Sequence, residues 1–196
     1  MKKISTLMIV AGLATQVPSQ AQTTWMIDNS HSQVMFTVSH LVISEVTGSF
    51  KGFTGTISAT KPDFTDAKIE FNVDVNTVNT DNEMRDNHLK GDDFFNAGKY
   101  PKMTFKGTGL KKVSGNKYTL SGELTIRDVT KPITLDVTYF GTTNDPWGNT
   151  KAGFKIKGKI NRFDYNLKWN TLTEAGGAVV GEEVEIVCNL ELAKSK

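Results

Sequence analysis

Hydrophobic and polar residues alternate with a period of two along most of the chain. Ala67, Ile69, Phe71, Val73 and Val75 share one side, while Lys68, Glu70, Asn72 and Asp74 share the other, the signature of a strand with one dry face. The same alternation recurs at Val34, Phe36, Val38; at Phe53, Gly55, Ile57; at Met103, Phe105, Gly107; and at Tyr118, Leu120, Gly122, Leu124, Ile126. It continues at Ile133, Leu135, Val137, Tyr139; at Ala152, Phe154, Ile156, Gly158, Ile160; and at Val184, Ile186, Cys188, Leu190, Leu192, so the pattern predicts about eight strands.

Turn formers such as Ser114-Gly115-Asn116, Thr130-Lys131-Pro132 and Asn144-Asp145-Pro146-Trp147-Gly148 separate the strands, and neighbours can pair as hairpins. The other faces are rich in Lys, Thr and Glu, so no second layer has an apolar surface to cover. A sheet that is dry on one side buries that side by curling on itself, which also removes its edges. The expected architecture is therefore all-β: an eight-stranded antiparallel barrel with one or two short helices near one end. The helical interruption runs from about Asp81 to Lys90. Thr80 and Glu83 have capping-box spacing, Gly91 can stop the helix, Asp92 to Asn96 can add a turn, and Asp81, Arg85 and His88 share a face.

The first residues read as an export leader. Lys2 and Lys3 precede the apolar run Leu7 to Ala14, Pro18 breaks it, and Ser19-Gln20-Ala21 offers a cleavage site. The expected division is a signal peptide over 1–21 and one domain over 22–196, with no stable membrane anchor, because the run is well short of the roughly 20 residues that span a bilayer. An exported, periplasmic or secreted protein is implied. Without Lys2 and Lys3 the 23 basic residues become 21 against 21 acidic, and with no long basic stretch nucleic acid is not an expected partner. Cys188, the one cysteine, alternates in phase with Val184, Ile186 and Leu190 and reads as a core residue.

No Gly-x-Ser-x-Gly elbow, no phosphate-cradling loop and no second cysteine is present, so no catalytic residue is assigned and the chain does not read as an enzyme. Asp164 and Glu174 lie among lysines and asparagines and read as solvated acids.

Several ordered pieces make the chain resemble the YceI-like family of lipid- and polyisoprenoid-binding periplasmic proteins. They are Asp28-Asn29-Ser30-His31-Ser32 with Phe36 and His40; Gly48-Ser49-Phe50; and Arg85-Asp86-Asn87-His88-Leu89 leading to Asp93-Phe94-Phe95 and Tyr100-Pro101. Gly122-Glu123-Leu124-Thr125-Ile126, Gly153-Phe154, Ile160-Asn161-Arg162 and Val180-Gly181-Glu182-Glu183-Val184 complete the set. The resemblance implies a lipocalin-like barrel without catalytic activity, whose elongated apolar tunnel takes an isoprenoid quinone or prenyl lipid as ligand, with no further cofactor. Two positions depart from the pattern: Asn166 stands where glycine is usual and Asn96 where aspartate is usual. Asparagine tolerates a left-handed turn almost as well as glycine.

An eight-stranded barrel is wide enough either to fill itself or to hold one slender ligand, and the alternation leaves both open. The resemblance favours a cavity, with Phe36, Val38, Phe71, Val73, Phe105, Leu124, Phe154 and Ile156 as its wall and Gly55, Gly107, Gly122 and Gly158 as small inward residues. His31, His40, Arg85, Asp86 and His88 are the candidate head-group contacts; the competing reading, and the preferred one, is that Arg85, Asp86 and His88 pin the helix to the barrel. Two alternatives have other functions. One is a filled-core barrel that binds a partner protein through loops bearing Trp147 and Trp169; the other is a zinc protein using the three histidines, disfavoured because no pair of them is preorganised and no metal is expected. Transient contact with a membrane or a redox enzyme is compatible with the carrier reading, and the pattern carries no signal for an oligomeric state.

Overall fold

The computed structural model describes residues 21–172, 174 and 176–195. The expected leader lies outside the described residues but for Ala21. Among those described, eleven strand segments, β1 (Thr23–Ile27), β2 (Gln33–His40), β3 (Ser44–Phe50), β4 (Phe53–Ala59), β5 (Lys68–Asp74), β6 (Val78–Asn79), β7 (Lys102–Ser114), β8 (Lys117–Ile126), β9 (Val129–Asn144), β10 (Thr150–Asn161) and β11 (Val180–Lys194), form one sheet.

Three pairs of these segments are single staves with a break. Strands β1 and β2 both lie antiparallel to β11, β3 and β4 run one after the other beside them, and β5 continues through a 3-10 turn at Val75–Thr77 into β6. The sheet is thus an eight-stave up-and-down meander, closed by β11 against β1 and β2. The eight predicted strands are these staves. The three breaks fall at Asp28–Ser32, Lys51–Gly52 and Val75–Thr77, side by side across neighbouring staves: Asn29 donates to the Phe53 carbonyl and the Lys51 amide to the Thr77 carbonyl.

Because the staves alternate in direction, the connections separate into two groups. Residues 41–43, 80–101, 127–128 and 162–179 gather at one end, called here the upper end; residues 60–67, 115–116 and 145–149 gather at the lower end. The helix α1 (Glu83–Lys90) lies in the first group. Its N-cap is Asn82, whose side chain accepts from the Arg85 amide, and Gly91 ends it as expected. Thr80 is not the cap; the run Thr80-Asp81-Asn82 offers three capping side chains in succession, and the one in register with the first turn serves. Residues 92–95 form turns rather than a helix. Asn166 is left-handed (φ 62°, ψ 22°), the conformation expected of it.

The lower end is sealed. Phe64, 2% exposed, packs against Trp25, Tyr139 and Phe154 with ring centroids 5.1–5.6 Å apart, and Tyr139 stacks on Phe154 at 4.9 Å. Residues 60–67 are held down by β7, where the Gly109 amide donates to Ala67 and the Leu110 amide to Phe64. Gly109 (φ 65°) is required there, because a β-carbon would come within 2.5 Å of the Thr65 carbonyl oxygen.

Candidate functional site

Inward side chains from every stave surround a cavity of about 230 Å³ whose exposed lining is apolar throughout. A single water needs roughly 10–15 Å³ on this scale, so the space holds on the order of 15 to 20 groups of that size. All eight residues expected in the wall, Phe36, Val38, Phe71, Val73, Phe105, Leu124, Phe154 and Ile156, line it. The filled-core alternative is therefore corrected. Trp147 and Trp169 also sit at opposite ends, Trp147 in the 145–149 turn and Trp169 packed on His88 and Phe94.

The small inward residues explain why the barrel stays hollow. The Phe105 ring occupies the space over Gly107 and Gly122, Phe71 that over Gly55, Phe36 that over Gly48 and Leu135 that over Gly158; β-carbons there would meet those side chains at 2.3–2.8 Å. Large side chains seated on glycines lie along the wall instead of crossing the lumen.

Leu89, Phe94 and Phe95 bring α1 and the following turns over the upper end as a lid. Under it the lining of β5, β7 and β8 is buried at Val73, Met103 and Ile126, and Phe95 meets Phe50 edge-on at 5.8 Å. On the other side, Val38, Ile156, Ile160, Val180, Val184 and Ile186 are only half-buried. There the ladder between β2 and β11 is interrupted: His40 pairs with Val180 and Val38 with Val184, so residues 181–183 stand against the single residue Ser39 as a bulge. We assign the mouth to this seam, where the ladder is broken at the upper end.

None of the five head-group candidates lines the cavity. Asp86, buried, accepts from both the amide (2.9 Å) and hydroxyl (2.6 Å) of Thr80, while Arg85 donates to the Thr80 hydroxyl and carbonyl oxygens, each at 2.8 Å. Since Thr80 directly follows β6, these four bonds fix the lid to the barrel. His88 is bonded to Asp93 (2.9 Å) and lies edge-on to Phe94 and Trp169, joining the lid to residues 162–179. His40 ends β2, where its carbonyl accepts from Ser44 and Ile43.

His31 is nowhere near the mouth. It sits in the β1–β2 break on the outer face, within reach of Asp28 (3.2 Å) and Glu191 (3.7 Å). Strand β2 alone spans roughly 23 Å, so His31 and His40 cannot share a metal, and the three-histidine zinc alternative is corrected. Asp28, His31 and Glu191 do bring three ligand-type atoms together, but the Lys151 ammonium lies among them, 2.5 Å from Asp28 and 3.1 Å from Glu191. Lys151 holds the Asp28 carboxyl far below the usual carboxylate range and is itself raised by that bond. Asp164 pairs with Lys131 at 2.7 Å, as a surface acid should.

Among the described residues, Arg162 is the one charged side chain in the lining, and it was not among the candidates. It is 3% exposed and donates to four carbonyls, those of Gly181 (2.7 Å), Leu167 (2.6 Å), Trp169 (2.7 Å) and Val180 (3.1 Å). Burial lowers its affinity for its proton. The signal was legible: Arg162 continues the inward phase of Ile156, Gly158 and Ile160. Cys188 also faces the cavity, and burial pushes its thiol up to about 12.

Among the described residues no helix is long and apolar enough to cross a membrane. The model of the YceI-like domain matches residues 25–192. Protein YceI of Escherichia coli O157:H7 is 35% identical over 198 aligned positions that span the whole of both chains. The crystal structure of BcnA from Burkholderia cenocepacia superposes with a TM-score of 0.72 at 24% identity, covering 84% of this chain and 98% of that one. A polyisoprenoid-binding domain from Saccharophagus degradans, implicated in plant cell wall breakdown, gives 0.64 at 19% identity over 87% and 98%.

Proposed function

This chain belongs to the YceI-like family, and from that membership and its hollow core we propose that it binds an isoprenoid lipid, a prenyl quinone or polyprenyl lipid, as a non-catalytic carrier in the bacterial periplasm. The observation that carries the reading is the apolar cavity, sealed below by Phe64 and roofed above by α1. Three or four prenyl units match its capacity, and each contributes roughly 3–4 kcal/mol gross before the costs of binding. Affinity then comes from the wall and needs no cofactor. Fold likeness to a polyisoprenoid-binding domain supports the same cargo class. Because the exposed lining is apolar throughout and Arg162 is taken up by four backbone carbonyls, the cavity holds the tail, pointing toward Phe64, and leaves a polar head at the upper end.

Organic extraction of protein purified from the periplasm, followed by mass spectrometry, is expected to recover a stoichiometric prenyl lipid. An empty extract together with no saturable binding of a prenyl alcohol overturns the reading.

A further inference from the structure

The upper end carries an apolar surface that the cavity does not use. In the β2–β3 turn, Leu41, Val42 and Ile43 are all exposed, Val42 at 74% and Ile43 at 86%. Leu41 and Val42 are left-handed, with φ of 52° and 64°, a conformation a β-branched valine rarely adopts. The turn is held in place from one side, where the Leu41 amide donates to the Val179 carbonyl at 2.9 Å. That bond brings in a second loop, closed by the Leu172–Ala178 bridge, whose Leu172 is 59% exposed. Four aliphatic side chains on two joined loops thus project beside the seam where Val38, Val180 and Val184 line the mouth.

We propose that these two loops dock the mouth onto the surface of a zwitterionic lipid bilayer, so that cargo passes between membrane and cavity without entering water. The inference rests on the carrier reading for its purpose, but the surface itself stands on exposure and position. A bilayer fits better than a protein partner: the projecting residues are aliphatic loop tips with none of the aromatic or arginine anchors that dominate protein interfaces. Charge argues for neutral head groups, since the exposed acids Glu45, Glu174, Glu182 and Glu183 outnumber the exposed Lys159 and Lys168, and Lys159 is already paired with Glu183 at 2.7 Å. Attraction to anionic lipid would need a basic rim.

The test is flotation of the full mature chain with phosphatidylcholine vesicles. The wild type is expected to float with the lipid, insensitive to salt and no better when phosphatidylserine is added. The Val42→Ser, Ile43→Ser double variant is expected to lose at least about tenfold of its bound fraction, and Leu172→Ser a smaller part. Trp147→Ser, which removes an equally exposed residue (83%) from the lower end, serves as the control and is expected to float as the wild type does. A wild type that stays unbound, a double variant that floats unchanged, or an equal loss in Trp147→Ser overturns the docking surface. So does a wild-type dimer in solution that the double variant abolishes, because the loops would then cover a second copy. Titration with a short-tailed prenyl quinone in the absence of vesicles separates the two claims. Failure there removes the carrier reading, while flotation decides the docking surface in either case.

Discussion

A β-carbon on Gly122 would lie 2.5 Å from the tip of the Phe105 ring and 2.5 Å from the Lys106 carbonyl oxygen. The glycine is the seat on which that phenylalanine rests, and the open lumen depends on it. Gly122→Ala is therefore expected to tilt the ring inward and to destabilise the barrel by about 1–3 kcal/mol. Thermal unfolding should fall by several degrees, with binding of a long prenyl alcohol weakened alongside. An unchanged melting curve and unchanged binding would show that the wall can yield.

Filling the cavity from the opposite wall should separate stability from binding. Ile156→Trp places a larger side chain into existing space, so its cost in stability is expected to stay under about 1.5 kcal/mol. Affinity for a four-unit prenyl alcohol should drop at least about tenfold, while a one-unit analogue is hardly affected. Equal losses for both tails would place the ligand elsewhere.

Cys188 reports on the lumen. With its thiol at about 12 instead of near 9, the thiolate at pH 8 is about a thousandfold scarcer than in an open cysteine. Alkylation is expected to be correspondingly slow and to slow further when prenyl ligand is bound. The linkage has a definite sign. The folded form keeps a proton that the unfolded chain releases, so this group's contribution to stability is intact below about pH 9 and lost as pH rises from about 9 to 12. Cys188→Ala should remove that slope from denaturant titrations run across the window.

The Asp28–Lys151 pair acts at the other end of the scale. Its carboxyl is depressed by the lysine, so its contribution is present above the ordinary carboxylate range and is lost as pH falls below about 4. Lys151→Met is expected to flatten the acid limb of the stability curve between about pH 4 and 2. A variant with the wild-type acid limb would assign that limb to other carboxylates.

Arg162 gives a sharper mutational contrast. Arg162→Met leaves four carbonyls without their donor and is expected to cost about 3 kcal/mol or more in urea unfolding. Arg162→Lys keeps the charge but not the planar fork that reaches all four, and is expected to recover less than half of that loss. Full recovery by lysine would show that charge alone matters.

The alternation made the staves and the wall legible, because one phase of each strand must face the dry side whatever the tertiary details. It could not show that Asp28–Ser32 and Lys51–Gly52 are breaks within staves, since polar residues interrupt a strand and end a strand alike. Motif clustering misled at the head group. His31 lies close in sequence to wall residues, yet the break at Asp28 turns it outward, and Arg85 and Asp86 are consumed by Thr80. Arg162 was visible as a charge in an inward phase, but its role depended on four carbonyls from residues 167 to 181, a loop whose path no local pattern specifies.

The aromatic floor around Phe64 has a consequence for traffic. On the carrier reading, a vessel closed at that floor is filled and emptied at its upper end, so one surface serves both loading and unloading. A carrier built this way would engage two membranes, or a membrane and an enzyme, in turn and not at once, and would travel between them like a ferry rather than span them like a bridge.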